Sequence, residues 1–392
     1  MRKKITDSLN FPRLRAKYRL ANQDKRSKML DELVDLTGMH RKSLIRMFNR
    51  DPKRKKKPRG QKPRYQYDEI LPVLKTIWMA SDQLCSKKLH VAIREWLPYY
   101  EQEQGELDEF TRLQLLSISP ASIDRALKSI HVTLPRKGLS GTKPGRLLKN
   151  QIPIKLNQWE EDRPGFLEAD TVAHCGNTLE GDFVWSITFT DIYTTWTENR
   201  AIWNKGSAGV IKRVKEVEMV LPFEIRGFDC DNGSEFLNHH LIRYFADHPE
   251  ERYVQFTRSR PYHKNDNAHV EQKNWTHVRH LLGYDRFDHV KLTELINNLY
   301  VNEWRLYQNH FIPTMKCIKK EKINSKYKKK FDKPKTPYER VLACDDIAPA
   351  MKEKLKAEHV QLNPFELKRR IEKKLNQIFK YVKVSNQVRK RI

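Results

Sequence analysis

Three acidic residues have types and surroundings that suit metal-assisted phosphodiester chemistry. Asp170 falls within an apolar run, with Glu168 and Ala169 before it and Thr171 and Val172 after. A carboxylate inside such a strand is costly unless something positive, such as a metal ion, neutralises it. Asp231 opens an Asp-Asn-Gly turn signal where the segment FEIRGFDCD ends, at the carboxyl end of a strand, the usual side for α/β sites. Glu271 belongs to a helical segment that places Asn267, Asn274 and Trp275 on its face at i−4, i+3 and i+4. Two carboxylates from adjacent strands and one from a crossing helix can converge on two Mg²⁺ ions, with Mn²⁺ as a substitute. Such ions, about 3.5–4 Å apart, activate an attacking oxygen and stabilise a leaving one. Each residue also has a plainer reading. Asp231 can be a turn residue, Glu271 a solvated helix position, and Asp170 the partner of a nearby Lys or Arg.

The elements needed to hold these groups are legible around them. From about residue 165 the chain becomes rich in β-branched and aromatic residues, and FLEADTVAH followed by GDFVWSITFTDIYTTWTENRAIW predicts three strands in a meander. Then SAGVIKRVKEVEMVL predicts a helix, FEIRGFDCD a strand, SEFLNHHLIRYFADH a helix and YVQFTR a strand. The turn-rich SRPYHKNDN leads into a helix from about Ala268 to Leu282. This is the element order of a ribonuclease-H-like domain, although other mixed α/β domains share it.

The flanks have a different character. Residues 24–49 read as two short helices around a turn at Gly38, with Met29, Leu30, Leu33 and Leu36 on one face and Leu44, Ile45 and Phe48 beyond the turn. A helix-turn-helix template puts Val34 where a small residue is wanted and Leu44 and Met47 at packing positions. His40, Arg41, Lys42, Ser43 and Arg46 then face outward as groove-reading candidates. An αα-hairpin with a basic face is the bland alternative. The following PKRKKKPRGQKPR is a basic, extended linker in which Arg59, Gly60, Pro63 and Arg64 look like a minor-groove arm, or else a plain electrostatic tether. A second helical stretch ends in SPASIDRALKSI, where Ser119 is the expected N-cap. Ser122, Arg125 and Lys128 are expected on its exposed face, as DNA contacts or as an ordinary basic surface.

Composition narrows the function classes. With 76 Lys and Arg against 49 Asp and Glu, the formal charge over 392 residues is +27. That excess points to a polyanionic partner, because basic side chains displace counterions from phosphates. No apolar run reaches the ~18–20 residues of a membrane span. The basic start lacks the apolar core of a secretory signal. Five scattered cysteines without a C-x-x-C fit a reducing compartment, with neither a disulfide framework nor a thiolate zinc site. The expected setting is inside a cell, on DNA or RNA.

FDCDNGSEF followed by RPYHKNDNAHVEQKNW resembles the core of DDE transposases and integrases related to the retroviral integrase catalytic domain. YQNHFIPTMK and DKPKTPYERVL resemble segments of bacterial insertion-sequence transposases, and the resemblance covers roughly residues 160–345. It implies that Asp170, Asp231 and Glu271 are the catalytic and metal-holding acids, with Asp229 the impostor, since the motif places the acid immediately before Asn-Gly. It implies two-metal cleavage of element ends, then attack of the freed 3′-OH on target DNA, with no Ser or Tyr nucleophile. Arg258, Arg260, Tyr262, His263 and Lys264 on the preceding loop, and Lys273 on the helix, become DNA contacts, although a hydrated basic loop would look the same. A retroviral His-His-Cys-Cys domain is absent from the sequence, so no zinc is expected.

The resulting expectation is a multidomain α and α/β protein. It comprises a helix-turn-helix unit at 1–50, a basic linker at 51–67, a second helical DNA-binding unit at 68–132 and a second linker at 133–160. A ribonuclease-H-like core of mixed sheet flanked by helices follows at 161–310, then a basic, mostly helical region at 311–392. There Leu367, Ile371, Leu375 and Ile378 form an apolar stripe after Asn363 and Pro364. The lysine-rich 319–335 segment is expected to grip DNA backbone. Expected partners are double-stranded DNA and further copies of the chain assembled on it. Two rivals are a nuclease of the same fold that cuts without joining and a DNA-binding regulator with a dead core.

Overall fold

The computed structural model describes residues 11–49, 64–128, 130, 161–230, 239–246, 254–258, 268–323 and 326–389. The chain divides into two compact units, Met1–Arg64 and Tyr65–Ile392.

Among its described residues the first unit has three helices, α1 (Phe11–Leu20), α2 (Gln23–Thr37) and α3 (Arg41–Asn49). Asn22 starts α2 by accepting the Lys25 N–H, and Gly38 ends it in the left-handed conformation (φ 63°), its N–H bonded to the Val34 carbonyl. Tyr18, Leu30, Leu33, Leu44 and Phe48 form the core. Thus α1 supplies a third wall that the two-helix expectation lacks. Leu36, expected on the packed face, is 62% exposed, because the apolar stripe of α2 ends at Leu33 and Val34.

In the second unit, α4 (Tyr67–Ala80), α5 (Ser86–Gln104), α6 (Glu109–Ser117) and α7 (Pro120–Leu127) precede a five-stranded sheet. Its strands are β1 (Phe166–Ala173), β2 (Val184–Asp191), β3 (Thr197–Trp203), β4 (Gly227–Cys230) and β5 (Gln255–Arg258), in the order β3-β2-β1-β4-β5. The meander β1–β3 is antiparallel, while β4 and β5 run parallel to β1. Between them lie α8 (Ser207–Glu218) and α9 (His239–Ala246). A mixed sheet with helices on both faces results, in the strand order and directions of a ribonuclease-H-like core.

The period of two along each strand sends alternate side chains to opposite faces. Leu167, Ala169 and Ala173 join Val210, Val214, Leu241 and Phe245 in one apolar cluster. Val184 and Ala201 join the other, with α4–α7 and the later helices. Those are α10 (268–282), α11 (290–311) and, after the antiparallel hairpin β6 (Cys317–Ile323) and β7 (Lys326–Phe331), α12 (Pro337–Leu342), α13 (Pro349–Val360) and α14 (Pro364–Arg389).

The stretch expected as a separate unit at 68–132 therefore shares its core with the body. Trp96 is fully buried, donates its indole N–H to the Phe311 carbonyl at 3.2 Å, and meets the Phe365 ring edge-on at 5.2 Å. Tyr307 donates to the Ala80 carbonyl at 2.6 Å. The apolar face of α14 is spent on this core too, since Leu367, Ile371 and Ile378 are buried in it, while Asn363 accepts the first N–H groups of the helix. Side chains of this size each contribute about 1.5–3 kcal/mol on burial, which is why four small helices do not stand apart. No helix among the described residues is long and apolar enough to cross a membrane.

Candidate active site

Asp170 sits in the middle of β1, opposite Thr188 of β2. On its other side β1 pairs with β4 as far as Ala169 opposite Cys230. Asp231 is the next residue and lies outside the described residues. Glu168 and Asp170, two apart on one strand, share the face that receives α10.

Two polar contacts fasten that helix to the strand. The Glu168 carboxylate, fully buried, accepts the backbone N–H groups of His269 and Val270 at 3.0 and 2.9 Å. These are among the N–H groups that a helix start cannot satisfy internally, and the positive end of the helix dipole favours an anion there. Further along, the Asn274 amide donates to Asp170 Oδ2 at 2.7 Å, while Asp170 Oδ1 accepts the Thr171 N–H. Between these two fastenings lies Glu271, exposed, in the first turn of α10. The helix widens from α to π geometry at Asn274–Arg279, beginning at the residue whose amide reaches Asp170. Such widened turns recur at functional sites because they re-aim side chains.

Asp229 is buried in β4 and accepts the Thr257 hydroxyl at 2.6 Å, so the sheet itself accounts for it. On the other flank of α10 the charges are basic. Burial holds the Lys273 ammonium down at about 7, and Lys88 and Arg340 add repulsion. His277 is driven well below the usual imidazole range by burial, then by Lys273 and Lys88. His269 is lowered to about 4 by burial, with Lys316 and Lys273 contributing.

No family model matches the chain. Over 333 residues it is 35% identical to the uncharacterized protein y4rM of Sinorhizobium fredii (strain NBRC 101917 / NGR234), across 83% of this chain and 91% of that protein. The chain belongs to the y4rM family. Among solved structures, this y4rM-family chain is similar to the HTLV-2 integrase catalytic core domain in complex with magnesium (dimeric form). The identity is 13% and the TM-score 0.28, over 38% of this chain and 90% of that one. A simian T-cell lymphotropic virus intasome in complex with the PP2A regulatory subunit B56 gamma matches at 14% identity and a TM-score of 0.29, over 54% and 68%. Superpositions at such scores decide nothing about activity; the fold rests on strand order and direction.

The remaining expected site residues of the y4rM-family chain are scattered. His40, Lys42, Ser43 and Arg46 are exposed on or beside α3, whereas Arg41 is tied to Asp31 and Ser27. Arg64 and Arg125 are exposed. Ser122 is not on an exposed face: it is 4% exposed, and its hydroxyl bonds Ser119 and accepts from Arg125 within the start of α7. Lys273 also points inward, 6% exposed and 3.3 Å from His277. Arg59, Arg260, Tyr262, His263 and Lys264 lie outside the described residues, as does the side chain of Arg258. Glu168 is the positioning residue that pattern reading passed over; its signal was the two-residue spacing from Asp170.

Proposed function

We propose that the chain is a DNA strand transferase of the DDE transposase type, which cuts the ends of a mobile element and joins the freed 3′-OH to target DNA. The observation that carries this reading is the double fastening of β1 to α10, through Glu168 at the helix start and through Asp170 to Asn274, with Glu271 between them. Asp231 completes the set by its place in the chain, directly after Cys230, whose partner across the sheet is Ala169.

A donor set made only of carboxylate oxygens fits hard divalent cations, Mg²⁺ or Mn²⁺. Asp170, Asp231 and Glu271 would hold two such ions, which when bound supply charge to activate the attacking oxygen and stabilise the leaving one. The chain's own residues do the positioning. Asn274 fixes the plane of the Asp170 carboxylate, and Glu168 sets where α10, and so Glu271, begins. The +27 charge supplies salt-sensitive affinity for double-stranded DNA. The three-helix unit, with His40, Lys42, Ser43 and Arg46 outward, acts as a helix-turn-helix reader. Joining two ends to one target calls for further copies on the DNA, in the bacterial cytoplasm.

A strand-transfer assay tests this, with labelled DNA from the ends flanking the gene as donor, a plasmid as target, and Mg²⁺ or Mn²⁺. Joined products that vanish in Glu271→Gln and Asp170→Asn are expected. Cleavage without joining would replace this reading with a nuclease, and salt-sensitive binding without cleavage in any of the three proteins with a regulator.

A further inference from the structure

While α10 turns Asn274 toward Asp170, it turns Lys273, Thr276 and His277 toward a cavity of about 520 Å³. The other walls come from the turn between α4 and α5, the carboxyl end of β2, the segment after α11, and β7. Lys88, Lys273, Lys316 and Lys329 line it together with His269 and His277. Against these, the carboxylate that lines it, Asp82, is taken up by an ion pair with Lys368 and by the Tyr307 hydroxyl at 3.1 Å. Asp191 and Asp332 act electrostatically on Lys316, whose ammonium donates to the Tyr193 carbonyl, and Asp332 is itself paired with Arg340.

Lys273 is 6% exposed, and among the described residues no carboxylate pairs with it; its Nζ lies 3.3 Å from His277 Nε2. When Lys273 is protonated, its ammonium only donates, so Nε2 accepts and the imidazole proton sits on Nδ1. That Nδ1 is buried in a residue 3% exposed and has no hydrogen-bond partner among the described residues. Burying a lysine without a counter-charge is expensive. An oxyanion of two charges, small and rich in acceptors, is the ligand that answers clustered ammonium groups and an N–H donor. The volume leaves room for a phosphate together with the group it is attached to.

We propose that this cavity is a phosphate-binding site, with Lys273, Lys88 and His277 as its inner contacts and Lys329 at its rim. The phosphate belongs to a small polyphosphate or to a nucleic-acid backbone, and the same cations serve either. The site does not depend on the roles given to Asp170, Asp231 and Glu271.

Calorimetric titration of the full chain with inorganic phosphate and with pyrophosphate tests it. Lys273→Met, Lys88→Gln and Lys329→Gln would be run beside the wild type. Loss of a charge-assisted contact should weaken binding roughly tenfold to a hundredfold for Lys273→Met and Lys88→Gln, and less for the exposed rim position. Thermal unfolding without ligand reports whether each variant is folded, and Lys329 is exposed. Pyrophosphate binding that a short duplex DNA abolishes places a DNA phosphate in the site; binding that persists beside saturating DNA assigns a small polyphosphate. Absence of phosphate and pyrophosphate binding in the wild type, or equal binding in the folded variants, would overturn the proposal.

Discussion

The carboxylate of Glu168 accepts the N–H of Val270 at 2.9 Å, joining the first strand of the sheet to the start of a helix 102 residues later. The same oxygen takes the His269 N–H, so one buried side chain does the work of an N-cap from another element. Because Glu271 follows directly, the position of its carboxylate depends on this contact.

Replacing Glu168 by Ala leaves two buried N–H groups without this acceptor, a loss of about 1–3 kcal/mol for each group left unsatisfied. Glu168→Gln keeps an acceptor oxygen but forfeits the charge that the helix end favours, and should lose less. Urea unfolding monitored by circular dichroism orders the variants: wild type most stable, Gln intermediate, Ala least. Equal midpoints would show that the clasp contributes nothing.

Asn274→Ala removes the amide that orients Asp170 while sparing the apolar contacts of α10. Under the proposed chemistry, strand transfer should fall by roughly tenfold to a hundredfold, with folding stability lower by about 1–3 kcal/mol for the one charge-assisted hydrogen bond lost and the variant still folded. A titration of activity with Mn²⁺ should shift to higher metal concentration. Full activity in this variant would detach Asn274 from the site.

Acid should destabilise the protein through its buried imidazoles. His174, which bonds Ser186 at 2.8 Å and stacks on Phe287, is held down to about 3 by burial, with Arg279 adding to it, and His277 is also well below the ordinary range. The unfolded imidazole takes up its proton near 6.5, the folded one only at far lower pH, so unfolding binds protons in between. Stability is therefore full above about pH 6.5 and falls as pH drops, by about 1.4 kcal/mol per pH unit for each such histidine. Urea midpoints between pH 7.5 and 5 should show this slope, and His174→Gln should reduce it. An unchanged slope would mean that His174 titrates normally in the folded chain.

Trp96→Ala should cost about 3–5 kcal/mol, the range for deleting a large buried aromatic ring. The loss should appear in the transition of the whole Tyr65–Ile392 unit, since Trp96 touches Tyr307, Phe311 and Phe365. Tryptophan fluorescence and far-ultraviolet circular dichroism should then move together. A separate early transition confined to α4–α7 would show that those helices fold on their own.

Much was written locally. The β-branched and aromatic residues of FLEADTVAH and of the segment after it predicted β1 to β3, and the helix over 268–282 was legible after the turn-rich loop. Gly38 and Ser119 marked helix ends by their own backbone and side-chain chemistry. Such features depend on residues within one or two turns of each other, so the linear order carries them.

What the linear order left open were pairings across long separations. Ser122 and Lys273 looked like surface residues by type, yet neighbouring elements bury both. The helices over 67–127 read as a free unit because their apolar faces have no local marker of destination; packing assigned those faces to α11 and α14. The stripe of α14 was likewise plain, but its partner was not. The sequence by itself determined strands, helices, caps, net charge and the carboxylates suited to metal chemistry, because short-range sterics and side-chain type suffice for these. Only the tertiary structure decided that Glu168 holds the start of α10, that Asn274 turns to Asp170, and that lysines from four elements share one cavity. Those depend on which surfaces exclude water together, a property of the folded whole.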